Sequence, residues 1–168
     1  METFFNPLSV AIVGATEKPG SLPGIILKNL LSMGFKGKMY PVNPKYETVF
    51  GLNCFPSILD IPDEVALTVI AIPAPWVLDV LQQQAHKRIR HAIIISAGFR
   101  EKGAEGIEME ERIRRVAIEN DMRILGPNCL GVLDNYTNFT TSFLSWERVS
   151  IPKKGSLSIL SQSGAFAI

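Results

Sequence analysis

A short apolar run that stops at a glycine constrains this chain more than any other stretch. The run ends at Gly14, a loop that contains Gly20 follows, and an apolar helical pattern begins near Leu22. A buried strand that enters a tight loop and then a helix is the first unit of a nucleotide-binding α/β sheet. The main-chain N–H groups of such a loop carry partial positive charge, so they suit an anion. Because Thr16 stands where a G-x-G-x-x-G loop has its second glycine, the stretch alone indicates either an anion-binding loop or a tight turn that binds nothing.

The alternation of strand and helix continues along most of the chain. Strands are predicted over 10–14, 38–42, 65–72, 91–96 and 122–125, and helices over 22–33, 75–85 and 103–120. The nearly unbroken apolar runs are typical of parallel strands that are covered on both faces. The predicted fold class is therefore α/β, a doubly wound Rossmann-like parallel sheet of about five strands. Right-handed crossovers place the loops that follow the strands at one edge, where ligands bind, and these loops comprise residues 14–24, 43–46, 72–75, 96–99 and 126–131.

Composition excludes several classes of function. The 168 residues are 46% hydrophobic and 20% charged, which indicates a globular chain with one main core. A formal net charge of +1 gives no long-range attraction to nucleic acid, and no apolar stretch approaches the length of a membrane span. The two cysteines lack metal-type spacing and favour a reducing compartment. With no secretion signal at the start, we expect a cytoplasmic protein with no metal, no nucleic-acid partner and no membrane contact.

The end of the predicted second strand carries a charge of the opposite sign to the usual one. Dinucleotide-binding sheets place an acidic residue near this point to bind a ribose hydroxyl. Here Asn43-Pro44-Lys45 follows the strand, and the lysine suits a phosphate on the ribose, which CoA and NADP carry and NAD does not. The alternative is a solvated loop lysine with no ligand.

The last third of the chain departs from the pattern. Residues 131–152 are rich in Thr, Asn, Ser and aromatic residues, and a loop or short hairpin that leaves the sheet is predicted there. Residues 155–164 repeat the opening pattern, with a strand, a small-residue turn and a helix that begins at Ala165. We therefore expect a binding domain over 1–133, a linker or hairpin over 134–154, and over 155–168 the truncated start of a second, flavodoxin-like domain. On this interpretation the chain is the N-terminal part of a longer protein.

Several motifs together carry a resemblance to a known family. The chain resembles the N-terminal CoA-binding domain of the nucleoside-diphosphate-forming acyl-CoA synthetases, which include ADP-forming acetyl-CoA synthetase and the α subunit of succinyl-CoA synthetase. The motifs follow one another in family order over the whole chain: Val13-Gly14-Ala15 with Pro19-Gly20, the nine residues from Gly37 to Lys45, Ile95-Ser96-Ala97-Gly98-Phe99, the seven residues from Leu125 to Gly131, and Ser161-Gln162-Ser163-Gly164. The loop of succinyl-CoA synthetase is richer in glycine than residues 14–20 here, so the ADP-forming acetyl-CoA synthetase branch fits better.

The resemblance implies an activity for the complete protein. Members interconvert acid, CoA and ATP with acyl-CoA, ADP and phosphate through an acyl phosphate and a phosphohistidine. It implies that this part holds CoA, that ATP or ADP and Mg are bound elsewhere, and that the partners are ligase and ATP-grasp domains or a β subunit. A homo-oligomer is also compatible with a Rossmann-type sheet.

The resemblance also implies site residues. The expected CoA-binding residues are Gly14, Thr16, Glu17, Lys18, Pro19, Gly20, Lys45, Pro73, Ile95, Ser96 and Ala97. The expected phosphate or acyl site comprises Asn128, Ser161, Ser163 and Gly164. Within the loop, the carboxylate of Glu17 is expected to point away from the cofactor phosphates, and Lys18 can pair with one of them.

No catalytic residue is expected in these 168 residues. His86 is predicted to be solvated late in a helix, and His91 to open a strand; neither has the glycine neighbours of a mobile phosphohistidine loop. Cys129 follows a Pro-Asn turn near the expected site, where a structural role is favoured. The chain should therefore bind CoA and turn nothing over. The alternatives are a CoA-binding module of a protein acetyltransferase, a stand-alone CoA-binding protein, and an NADP-dependent oxidoreductase domain, which the missing second glycine disfavours.

Overall fold

A parallel sheet forms the centre of the structure, a computed structural model that describes residues 2–146 and 149–164. The strands are β1 (Ser9–Val13), β2 (Lys38–Val42), β3 (Thr48–Val49), β4 (Leu52–Asn53), β5 (Leu67–Ile70), β6 (His91–Ile94), β7 (Arg123–Leu125), β8 (Leu133–Asp134) and β9 (Phe139–Thr140). The α-helices are α1 (Leu22–Met33), α2 (Val77–His86) and α3 (Ala104–Glu119). Short 3-10 turns lie at Glu2–Phe4, Ile58–Asp60, Ala74–Trp76 and Arg100–Lys102.

The order of the strands confirms the doubly wound fold. Five strands pair in the order β2-β1-β5-β6-β7, and every pair is parallel. The chain runs outward from β1 to β2 and then crosses to the other side of β1 to form β5. The helices that follow β1 and β5 therefore pack on opposite faces of the sheet, and the crevice where such sheets bind ligands lies between them at the ends of these strands.

The two faces of the sheet carry separate cores because strand side chains alternate. Val10 and Ile12 belong to a core cluster with α1, whereas Ala11 and Val13 belong to a cluster with α2 and α3. All five residues of β1 are buried, as expected for a central strand covered on both sides. The helix α1 has the predicted bounds and ends at Gly34, whose φ of +70° forms the left-handed cap that glycine favours.

Two predicted strands end earlier than their apolar runs suggest. The runs over 65–72 and 91–96 become β5, which ends at Ile70, and β6, which ends at Ile94. Beyond these points the backbone leaves the sheet, and the Ile72 N–H donates to the Ser96 hydroxyl at 3.1 Å instead of to a strand carbonyl. Apolar composition alone does not distinguish a buried loop entrance from a strand.

The segment after β7 packs on α1. Strands β8 and β9 form an antiparallel hairpin outside the main sheet, within residues 131–152, where a loop or short hairpin is predicted. The hairpin returns to the body of the domain, because Phe139 is fully buried with its ring 5.2 Å from that of Phe35. The Asn29 side chain also donates to the carbonyls of Ser142 and Leu144 at 2.9 and 2.8 Å.

The strand predicted within residues 155–164 is not formed. Leu157 and Leu160 are 93% and 102% exposed, and no described residue pairs with this segment as a strand. An apolar run becomes a strand only where a neighbour accepts its hydrogen bonds and covers its side chains. The helix predicted from Ala165 lies outside the described residues. Among residues 2–146 and 149–164, no helix combines the length and the apolar character that crossing a membrane requires.

Candidate functional site

The loops after β1 and β5 meet at Gly14. This residue has φ +94°, and a Cβ at its position would lie 2.7 Å from the Ala71 carbonyl oxygen and 2.8 Å from the Ile72 Cγ2. Its own N–H donates to the Val42 carbonyl at 2.9 Å. Because its amide is already bonded to a β2 carbonyl, Gly14 has no donor left for a ligand. Its contribution is the space that the absence of a side chain leaves between the two loops.

The amino terminus of α1 faces the same loop and keeps its donors. Ser21 is the N-cap residue, yet its side chain caps no amide, and its hydroxyl is buried without a partner among the described residues. The first-turn amides of Leu22 and Gly24 therefore have no side-chain cap. A Cβ on Gly24 would lie 2.5 Å from the Thr16 carbonyl oxygen, so the loop passes directly against the helix end. This arrangement is typical of an anion site at a helix N-terminus.

Hydrogen bonds join the loop after β1 to the segment after β2. The Asn43 side-chain amide donates to the Ala15 carbonyl at 2.9 Å, and the Thr16 hydroxyl donates to the Tyr46 hydroxyl at 3.1 Å. The carboxylate of Glu17 accepts the N–H of Phe50 at 2.6 Å. The Glu17 side chain is thereby directed at the turn between β3 and β4.

The predicted cationic residues lie on the exposed parts of these two loops. The Lys18 N–H donates to the Thr16 hydroxyl at 3.2 Å, and the Lys45 N–H donates to the Asn43 side chain at 3.0 Å. Both lysines are exposed, as are Pro19 and Gly20. The structure therefore places the two lysines on adjacent loops, in short turns that their own amides help to fix.

The ends of β5 and β6 form the other side. The Ser96 hydroxyl is buried, accepts the Ile72 N–H and donates to the Ile70 carbonyl at 3.4 Å. Ile95 is 4% exposed and its side chain belongs to the core on the α1 face. Of the predicted contacts here, Ala97 and Pro73 are exposed, so Ile95 and Ser96 can offer mainly backbone to a ligand.

The predicted phosphate or acyl residues come from two segments that touch. Asn128, with φ +53°, follows β7, and its N–H donates to the Ser96 carbonyl at 2.9 Å. The Ser161 hydroxyl donates to the Ser163 carbonyl at 2.8 Å. A Cβ on Gly164 would lie 2.9 Å from Leu130 Cδ1, which places the end of this segment beside the loop that carries Asn128.

Cys129 bonds to the backbone beneath this loop, and neither histidine lies in the loops that follow the strands. The Cys129 thiol donates to the Ile94 carbonyl at 3.4 Å, and burial raises its pKa. His86 is exposed at the end of α2, whereas His91 begins β6 at the opposite edge of the sheet and packs edge-on against Phe4, with ring centroids 5.3 Å apart. Burial lowers the pKa of His91. The described residues contain no group of three His, Cys, Asp or Glu side chains arranged for a metal.

Sequence reasoning missed the residues that support the loops. Asn43, Tyr46 and Phe50 fix the geometry of the loop after β1, yet none was a candidate site residue. An Asn-Pro pair after a strand indicates a turn, and this local pattern could have identified Asn43 as a residue that shapes the loop. The roles of Tyr46 and Phe50 depend on contacts 30 and 33 residues away in the chain, and no local pattern encodes them.

Comparisons with known proteins agree on one family. The family model described as CoA binding domain matches residues 8–135. ADP-forming acetate–CoA ligase II of Archaeoglobus fulgidus is 44% identical over 99% of this chain and 24% of its own length. ADP-forming 4-hydroxybutyrate–CoA ligase of Nitrosopumilus maritimus is 40% identical over 95% of this chain and 22% of its own length. The chain thus spans about a quarter of the length of these relatives.

A solved structure has the same fold. It is that of acetyl-coenzyme A synthetase 1 from Ca. Korarchaeum cryptofilum, described as dinucleotide forming and in complex with phosphate and ADP. It aligns with a TM-score of 0.81 at 41% identity, over 84% of this chain and 30% of that one.

Proposed function

The chain belongs to the CoA binding domain family, and on that premise we propose that CoA lies along the carboxyl edge of the sheet, with its nucleotide end at the amino terminus of α1. The observation that carries this proposal is the uncapped start of α1 beside the loop at Thr16. Helix N-termini stabilise phosphate through unpaired amides and the helix dipole. The pyrophosphate of CoA supplies the matching charge.

The two exposed lysines would complete the phosphate site. Lys45 follows β2, where the ribose of a bound nucleotide lies in doubly wound sheets, so we assign it to the 3′-phosphate of CoA. Lys18 would pair with the pyrophosphate from the loop after β1. The exposed backbone around Pro73 and Ala97 would flank the remainder of the cofactor. These residues bind and orient CoA, and none of the described ones is assigned a chemical step.

For the complete protein we propose an ADP-forming acid–CoA ligase. When bound, CoA supplies the thiol that takes up the acyl group, while ATP or ADP and Mg are held by ligase and ATP-grasp domains or by a β subunit. Asn128 and the segment Ser161–Gly164 would face the phosphate or acyl group, since they lie side by side at the same edge. Both cysteines are free thiols, which supports a cytoplasmic location as part of this proposal.

The cofactor assignment is tested by calorimetric titration with CoA and dephospho-CoA. Wild type should bind CoA more tightly, and Lys45→Gln should reduce the difference because it removes the charge that faces the 3′-phosphate. An exposed charge pair contributes up to about 1 kcal/mol, so we expect a preference of about three- to fivefold. Lys36→Gln, which removes an exposed lysine from the turn before β2, is the matched control and should keep the preference.

Equal binding of the two ligands by wild type would remove Lys45 from the site, and a failure to bind CoA at all would overturn the proposal.

The activity of the complete protein is tested by assaying the polypeptide encoded by the whole reading frame. Release of ADP and phosphate from ATP should require both CoA and an acid. Transfer of an acetyl group from acetyl-CoA to a protein lysine, without ATP turnover, would instead support the acetyltransferase alternative.

A further inference from the structure

We propose that Glu17 is a positioning residue, whose carboxylate fixes the loop of residues 15–20 to the β3–β4 turn so that its amides stay aligned for a phosphate. This inference rests on the proposed function, because it concerns the same CoA site. The resemblance places Glu17 among the CoA-binding residues with its carboxylate pointing away from the phosphates; in the structure that carboxylate accepts the N–H of Phe50 at 2.6 Å, which gives it a part in holding the loop. A hydrogen bond to a charged acceptor at this distance is among the stronger kinds in proteins.

The N–H that the Glu17 carboxylate accepts belongs to the tight turn between β3 and β4. Phe50 and Gly51 both have positive φ, +48° and +75°, as the tight turn between β3 and β4 requires. The turn is held by the pairing of Val49 with Leu52, and the Val49 side chain is fully buried in the core on the α1 face. The turn is therefore a fixed point, against which a neighbouring loop can be held.

Two further contacts act on the same loop from the same side. The Asn43 side chain holds the Ala15 carbonyl and the Tyr46 hydroxyl holds the Thr16 hydroxyl. Together with Glu17, three consecutive loop residues are bound to the segment between β2 and β4. An anion site is strongest when its donors need no reorganisation on binding, so fixing this loop lowers the entropic cost of holding CoA.

The charge of Glu17 distinguishes this role from the alternative, in which the carboxylate faces the pyrophosphate, because the two roles predict different CoA affinities. A carboxylate that faced the pyrophosphate would repel it, and neutralisation would then increase affinity. A carboxylate that acts as a tether needs only its acceptor oxygen, which the amide of glutamine also provides. A carboxylate that faces the pyrophosphate predicts tighter CoA binding in both Glu17→Ala and Glu17→Gln, whereas a tether predicts weaker binding in Glu17→Ala and nearly unchanged binding in Glu17→Gln.

The experiment measures the CoA dissociation constant of Glu17→Ala and Glu17→Gln by calorimetry, and the exchange of the amide hydrogens of residues 15–20 in the absence of ligand. We expect Glu17→Ala to bind CoA about tenfold more weakly with faster exchange in this loop. Glu17→Gln should stay within about threefold of wild type, because it restores the acceptor for the Phe50 N–H. Glu47→Gln removes an exposed acid from the same segment and controls for net charge.

Tighter CoA binding by both Glu17 variants would overturn the inference, since it would place the carboxylate against the phosphates. Unchanged affinity and unchanged exchange in Glu17→Ala would also overturn it, even if its melting temperature fell. The exchange measurement needs no ligand, so it separates this outcome from a failure of the proposed function, in which wild type itself would not bind CoA.

Discussion

Replacing Gly14 by alanine should damage both the fold and the site, because this position combines two constraints. Its φ of +94° is strained for any residue with a Cβ, at a cost of roughly 1–3 kcal/mol. The added methyl group would also meet the Ala71 carbonyl oxygen at 2.7 Å, and relieving such overpacking costs typically about 1–3 kcal/mol. Adding the two costs, we expect a loss of roughly 2–6 kcal/mol in the free energy of unfolding.

Gly34→Ala is the matched control. Gly34 also has positive φ, +70°, but a Cβ there meets nothing within 4 Å. Gly34→Ala should lower the free energy of unfolding by about 1–2 kcal/mol, which is the cost of the left-handed conformation alone. The extra loss in Gly14→Ala thus measures the close approach of the loops after β1 and β5.

Urea unfolding followed by circular dichroism gives both free energies, and calorimetric titration gives the affinity for CoA. Gly14→Ala should bind CoA more weakly because β5 and its loop must move, whereas Gly34→Ala should bind normally. If the two variants lost the same stability and both retained their CoA affinity, the reasoning about the crevice would be refuted.

Three further predictions concern the core and two ionisable groups. Phe139→Ala should cost about 3–5 kcal/mol because the ring is fully buried, whereas Leu157→Ala should change the unfolding free energy by less than about 0.5 kcal/mol; equal losses would contradict the packing of the hairpin. Burial lowers the pKa of His91, so the unfolded chain binds its proton more readily, and stability should decrease as pH falls through about 6.5; an NMR titration with a midpoint above that value would refute this. The Tyr40 hydroxyl donates to the Asp63 carboxylate at 2.6 Å, and this hydrogen bond is the main cause of the lowered pKa of Asp63. Tyr40→Phe should therefore raise the pKa of Asp63, which is measured from the shift of its carboxyl carbon.

Local sequence patterns predicted most of the sheet and its helices. The bounds of α1 and β2 follow from an apolar periodicity interrupted by glycine and proline, and both signals act within a few residues. The expectation that the candidate site lies at the carboxyl edge followed from the handedness of parallel crossovers, which is nearly independent of sequence. The motifs then indicated CoA, and the family match over residues 8–135 agrees.

Other features could not be predicted because the determining contact lies far away in the chain. The apolar residues Leu157 and Leu160 suit a strand by composition, but they are exposed, and no strand of the described residues pairs with them. Phe139 lies in a polar stretch that suggested departure from the domain, yet it fills the core beside Phe35. In each case, pairing or burial was decided by what stands opposite the residue.

By itself, the sequence determined that this protein is a doubly wound sheet with a phosphate-compatible loop after its first strand, because strand, turn and helix preferences are short-range and glycine marks where a Cβ does not fit. Only the tertiary structure decided which groups are free to meet a ligand. Glu17 and Lys18 are neighbours of similar exposure in the same loop, but the N–H of Phe50 engages the carboxylate of Glu17. A side chain's availability depends on partners brought near it by folding, and sequence spacing does not contain that information.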